Sequence, residues 1–213
     1  MATEKNNTEM YFEWWLEEMK ANGLVESYER EPETFVIADA VPIFYNQIRP
    51  IKPIVKSFEI MGALTYTPDY KVVFSKHMIN KLIGVIDLEA KEICEYGFSE
   101  NGSVYQNTMF YTSEVDGIKP VVYFDVKAPS TASQFSARLG STRDFKYVSR
   151  MMYDKHGVIV NKVVPVGSKT SLFCKTFMPK RYKFTDQSGG VRKLKDYENK
   201  CKSLSQYLEI KKL

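Results

Sequence analysis

A mixed α/β fold is predicted, with a central sheet that carries both parallel and antiparallel pairs and is flanked by helices. Three stretches support it. "KPVVYFDVKA" (119–128) reads as a strand, because Val122, Phe124 and Val126 alternate on one face. "STRDFKYVSRMMYDKHG" (141–157) has a Ser/Thr cap, a Phe145/Val148/Met152 stripe and a glycine stop, the marks of a helix. "VIVNKVVPV" (158–166) is a second buried strand. Strand, helix, strand in that order predicts a right-handed crossover between parallel strands.

The elements upstream follow from the same periodicities. Thr8 is a suitable N-cap for "EMYFEWWLEEMKANG", and Gly23 is the helix stop. Phe12, Trp15, Leu16 and Met19 recur at helical spacing and form its buried stripe, with Glu9 at the border of that face. "FVIADA", "PIFYNQI", "IVKSFEIMGALTY" and "YKVVF" are β-branched and aromatic runs broken by prolines, and read as strands. Residues 75–98 look partly helical, and 99–117 look like a hairpin or long loop. The tail holds "LFCKTFMPKRYKF", the loop "TDQSGGV" and an expected helix over 195–210.

A chain of 213 residues suits one large domain or a core with an appendage. No apolar stretch approaches the roughly 20 residues needed to cross a bilayer, so no membrane partner is expected. The polar N-terminus lacks the regions of a signal peptide. Cys94, Cys174 and Cys201 fit neither a disulfide framework nor a zinc spacing, and are expected as reduced thiols in a cytoplasmic setting. His77 and His156 are too few for a zinc site, and His156 is expected to cap its helix. The sequence contains no phosphate-binding glycine loop and no nucleophile elbow.

Charge is unevenly distributed. Residues 162–213 carry 13 Lys/Arg against 4 Asp/Glu, while 1–161 carry 17 against 22, so a +9 tail follows a −5 body. Such a tail is either a lysine-rich solvated surface or a handle for a polyanion.

Asp125 and Lys127 are two apart on a strand and emerge on the same face. One explanation is a salt bridge at a sheet edge. The other is phosphodiester hydrolysis, in which carboxylates converge on Mg²⁺ and a lysine positions the attacking water. That chemistry needs an Asp, a second Asp or Glu, and a Lys two residues after the second. Asp69 in "YTPDYKVVF", then Asp125 and Lys127, occur in that order after a helix carrying Glu9.

These pieces resemble the PD-(D/E)XK nuclease superfamily, most closely its small phage-type, endonuclease I-like junction-resolving members. Thr67-Pro68-Asp69 before a strand looks like the first strand motif, and Asp125-Val126-Lys127 matches the second. The helix with Glu9 seven residues before Leu16 is similar to the superfamily's N-terminal helix, with Glu13 as the rival for that role.

The resemblance implies a restriction-endonuclease-like core over 1–164, with 75–118 as an insertion and 165–213 as a basic C-terminal extension. It implies a Mg²⁺-dependent DNA endonuclease, with Mn²⁺ as a substitute, in phage-type processing of duplex or branched DNA such as Holliday junctions. Asp69, Asp125 and Glu9 would be the metal-binding carboxylates, and Lys127 would complete the catalytic set. Arg138, Arg143, Lys146 and Arg150, at and before the helix after the second motif, would touch DNA. So would Lys175, Lys180, Arg181, Lys183, Arg192 and Lys193 in the tail. A homodimer is compatible with such an enzyme. Two departures stand out: Asp69 and Asp125 are 56 residues apart, and an aspartate replaces the commoner glutamate in the second motif. The alternative expectation is a non-catalytic nucleic-acid-binding or assembly protein on the same fold.

Overall fold

The computed structural model describes residues 7–47, 54–93, 108–129, 139–185 and 189–212, with side chains from Asp144 onward in the helix that opens at 139. The chain is a mixed α/β protein, as its periodicities predict. Its central sheet contains β1 (Val25–Arg30), β6 (Tyr70–Phe74) and β11 (Lys119–Val126) in that spatial order. Both neighbouring pairs, β1 with β6 and β6 with β11, are antiparallel. The far edge of β11 is shared. β10 (Glu114–Asp116) pairs antiparallel with its first half, and β12 (Val160–Val163) pairs parallel with its second half. The parallel pair is joined through α2 (Leu139–His156), the crossover expected from the order of the elements.

Alternation along the two central strands separates the core into two clusters. Tyr70, Val72, Phe74, Val122, Phe124 and Val126 face α1 (Asn7–Ala21), where Phe12 stacks on Trp15 and meets Phe124. Val73, Val121 and Tyr123 face the other way and pack with Phe145, Val148 and Met152 of α2. That is the stripe read from the sequence, and Gly157 closes the helix at φ +68°. His156 is placed differently from its expected cap role: its Nε2 meets the Val36 carbonyl at 3.0 Å, and its ring packs on Phe35.

Between β1 and β6 the chain forms two ribbons. β2 (Phe35–Ala38) pairs with β5 (Leu64–Tyr66), and β3 (Val41–Gln47) pairs with β4 (Ile54–Met61). The run read as one strand over 54–66 is thus two, separated at Gly62 and Ala63.

The segment expected as an insertion contributes strands where a partial helix was read. β7 (Ile83–Asp87) lies between β8 (Glu92–Ile93) and β9 (Phe110–Thr112) in a small sheet. Leu82, Ile83 and Phe110 lie in the main core, with Phe110 edge-on to both Trp15 and Phe124.

The basic tail packs into the same core. Phe173 of α3 (Leu172–Lys175), Phe177, Tyr182 of α4 (Lys180–Phe184) and Leu204 and Tyr207 of α5 (Leu204–Lys211) are all buried there. The helix expected over 195–210 begins only at Leu204, with a Ser203/Gln206 capping box. Ahead of it, the Glu198 side chain is buried and accepts the Tyr182 hydroxyl and the Lys195 N–H, which holds 198–200 in a 3-10 turn. Cys174 and Cys201 are free thiols whose sulfurs lie 2.8 Å apart, and Cys94 is outside the described residues.

Candidate active site

Asp69 and Asp125 are brought together by strand register. The ladder between β11 and β6 ends at Phe124 with Tyr70, so the next residues outward along the two chains are Asp125 and Asp69. Directly opposed residues of an antiparallel pair share a face. Both carboxylates therefore lie on the side away from α1, with Lys71, Tyr123 and Lys127.

Asp69 ends the ladder with its side chain. Its Oδ2 accepts the Val126 N–H at 2.5 Å, and its carbonyl accepts the Glu31 N–H at 2.9 Å. On the other side of β11, the Lys127 N–H reaches the Val163 carbonyl at 2.8 Å. Pro68, which has no N–H to offer a ladder, is buried just before this point.

Asp125 is 2% exposed, an environment hostile to a charge unless it is paired. Lys127 Nζ lies 2.9 Å from its Oδ1 and 2.7 Å from its Oδ2, and the Tyr66 hydroxyl donates to Oδ1 at 3.2 Å. Among the described residues, Oδ2 takes the ion pair without a hydrogen bond of good angle, so a buried lone pair remains available there. Burial, then the Asp125 charge, push the Asp69 carboxyl up to about 6, with Glu9 adding to the effect. The Val126 N–H and the Lys127 ammonium pull it the other way. Burial and the same two aspartates push the Tyr66 phenol well above its ordinary range, so it is a neutral donor.

Glu9 approaches from the α1 side of the sheet, opposite to the face shared by the two aspartates. Its carboxylate is held by Arg30 of β1 at 2.8 Å. Glu13, the rival, is buried and accepts the Tyr70 hydroxyl at 3.0 Å. Among the described residues, no group of three or more His, Cys, Asp or Glu side chains is arranged to hold a metal ion. The donors therefore amount to a carboxylate pair. Mg²⁺ commonly binds through one or two carboxylates while keeping several waters, so the pair and the available Oδ2 fit such an ion.

Sequence reading missed Tyr66, Arg30 and Glu33. Tyr66 lies at the end of a short strand, three residues before Asp69, and only the β2–β5 ribbon carries it over Asp125. Glu33 accepts from the Tyr123 hydroxyl at 2.7 Å and from Lys71 Nζ at 3.2 Å, which continues the polar row along that face.

The basic residues are dispersed. Lys146 and Arg150 are exposed on α2, with Arg150 ion-paired to Asp154 at 2.7 Å. Arg138 and the Arg143 side chain lie outside the described residues. Lys175, Lys180, Lys183 and Lys193 are exposed. Arg181 stacks over Trp14 at 4.7 Å and approaches Glu17 at 3.5 Å. Arg192 differs from the rest: its guanidinium lies over the Tyr182 and Tyr11 rings and donates to both hydroxyls. It braces the tail against α1.

No family model matches the chain, and no curated protein or solved structure matches it either. None of the described helices is long and apolar enough to cross a membrane.

Proposed function

We propose that the protein is a metal-dependent DNA endonuclease of the PD-(D/E)XK type, hydrolysing phosphodiester bonds. The observation that carries this reading is the register of β6 on β11, which sets Asp69 opposite Asp125 with the Lys127 ammonium on the latter. Asp69 and Asp125 would hold a divalent cation of the Mg²⁺ class, with Mn²⁺ as a substitute. Such an ion, when bound, would stabilise charge on the scissile phosphate and acidify a bound water.

The chain's own groups have separate tasks in this reading. Lys127 neutralises Asp125 and presents an ammonium to the attacking water and to the developing phosphate charge. Tyr66 fixes the Asp125 carboxylate from the ribbon side. Asp69, anchored by the Val126 N–H, keeps its second oxygen for the ion. Glu9 acts on the pair through its charge, since Arg30 holds its carboxylate. DNA would lie across the exposed cations of α2 and the tail, Lys146, Arg150, Lys175, Lys180, Lys183 and Lys193, through phosphate contacts that position without reading sequence. A phage-type setting and branched DNA as substrate follow from the resemblance alone.

The second reading, a nucleic-acid-binding or assembly protein without catalysis, is favoured by one observation. Glu9 is drawn toward Arg30, which leaves two carboxylates where three were expected. Mg²⁺-dependent nicking of a four-way junction and of linear duplex by the wild type and Lys127→Ala separates the two. Nicking by the wild type that falls at least about 100-fold in the variant supports the enzyme. DNA binding with no cleavage, or equal cleavage by both proteins, removes the catalytic assignment.

A further inference from the structure

We propose that Cys174 and Cys201 are a reversible oxidation site, where a small disulfide oxidant joins the two thiols and so clasps the basic tail. The proposal does not rest on the nuclease reading. Both thiols are half-buried, whereas a cysteine that only fills space is ordinarily among the most buried residues. Their sulfurs lie 2.8 Å apart, and both face the Tyr197 carbonyl, Cys201 at 3.6 Å and Cys174 at 3.9 Å. A disulfide is about 2.05 Å long, so closure needs a shift of only about 0.8 Å.

The backbone on each side holds the pair in place. Cys174 lies in α3, where the Phe173 N–H reaches the Pro165 carbonyl at 3.2 Å. Thr176, just after α3, accepts from Trp15 Nε1 at 3.1 Å. Cys201 ends the 3-10 turn, with its N–H on the Glu198 carbonyl at 3.0 Å. Past both cysteines the Met178 N–H donates to the Lys202 carbonyl at 2.9 Å, so the segments that follow them are already joined. Closure therefore asks for side-chain rotation rather than movement of the chain.

The chemistry is thiol–disulfide exchange with an oxidant such as oxidised glutathione. The Cys174 thiolate, its proton lost to water, attacks one sulfur of the oxidant and expels a glutathione thiolate, which leaves a mixed disulfide. Cys201 then loses its proton to water and attacks the Cys174 sulfur, expelling the second glutathione thiolate. The protein gives up two protons and two electrons, and the oxidant is reduced to two thiols. Burial, then the Cys174 thiol, raise the Cys201 thiol above its ordinary value, which suits it to the second, intramolecular step. The bond would close the stretch that carries α4, Arg192 and the exposed Lys180, Lys183 and Lys193, and hold it against α1.

The test incubates the folded full-length chain with oxidised glutathione. Free thiols are then alkylated under denaturing conditions and located by peptide mass spectrometry. The wild type is expected to lose alkylation at Cys174 and Cys201 together and to yield a peptide pair joining them, lighter by two hydrogens. Dithiothreitol should restore both thiols, and Cys94→Ser should form the same link. The cysteines are 27 residues apart, so the oxidised protein should melt about 10 °C above the reduced one. Cys201→Ser, which leaves Cys174 without its partner, should accumulate glutathione on Cys174 and show no such rise. Thiols that stay free in the wild type overturn the proposal, as does a separate glutathione on each. A link from either cysteine to Cys94 or to another molecule overturns it too. A Cys174–Cys201 bond that leaves the melting temperature unchanged or lower overturns the clasp.

Discussion

The Lys127 ammonium straddles the Asp125 carboxylate, 2.9 Å from one oxygen and 2.7 Å from the other, at a position where Asp125 is almost wholly buried. Removing the lysine leaves a buried charge that, among the described residues, keeps the Tyr66 hydroxyl as a hydrogen-bond donor and has the Asp69 carboxyl nearby. Lys127→Ala is therefore expected to lose about 2 kcal/mol in urea unfolding, less than for a fully buried pair because the lysine is itself part-exposed. Adding Asp125→Asn, which removes the charge, should restore most of that loss. A single variant as stable as the wild type would mean that water reaches Asp125 freely.

Asp69 sets a dependence on pH. Its folded-state carboxyl is raised to about 6 from an ordinary value of 3.8. Its contribution to stability is thus fully present below about pH 4 and is lost as pH rises through 6. In chelator, this group alone should cost the wild type on the order of 2 kcal/mol between those limits. Asp69→Asn keeps an acceptor for the Val126 N–H and carries no charge, so it should escape this loss and be the more stable protein at pH 7. Mg²⁺ should raise the melting temperature of the wild type at pH 7 more than at pH 5, and of Asp69→Asn at neither. Equal shifts in the two proteins would remove Asp69 from the ion's ligands.

Arg192 and the exposed lysines should separate in their effects. Arg192→Ala loses two ring contacts and two hydrogen bonds at the α1–tail junction, and should destabilise the fold by about 2–3 kcal/mol. It should leave the salt dependence of DNA binding unchanged. Lys180→Ala and Lys183→Ala should leave unfolding within about 0.5 kcal/mol. Each should instead reduce the slope of log affinity against log salt by about 1. A smaller salt slope in Arg192→Ala would show that its guanidinium reaches phosphate.

Gly167 links the tail to the site. Its φ of +123° disfavours any side chain, and an added Cβ would overlap the ring of Pro129, two residues beyond Lys127. Gly167→Ala should cost about 3 kcal/mol and lower any Mg²⁺-dependent nicking by displacing Lys127. Gly117, also at positive φ but with open space around it, is the comparison: Gly117→Ala should cost only about 1 kcal/mol and spare activity. Equal losses of activity in the two would mean that the overlap does not reach the site.

Legibility in the sequence followed the range of the interactions. The α1 stripe, the α2 stripe with its glycine stop, and the alternation of "VVYFDV" are local patterns, and each predicted its element. β1 was missed because "VESYER" mixes charges into the strand and supplies little periodic signal. The tail read as a basic extension because lysines dominate its composition. Three of its aromatics, Phe173, Phe177 and Tyr182, bury themselves in the core that α1 covers.

For the site, the sequence alone puts Asp125 and Lys127 on one face, because strand geometry projects alternate residues to the same side. It also set Asp69 at the start of a strand, behind a proline that cannot join a ladder. Long-range packing settled which residue Asp69 opposes, since that depends on the pairing register of two chain segments whose aspartates are 56 residues apart. It also decided that Glu9 meets Arg30 from the far side of the sheet, and that Tyr66 crosses to Asp125 on the ribbon. These contacts are made between elements distant in the chain, and no local spacing encodes the distance between them.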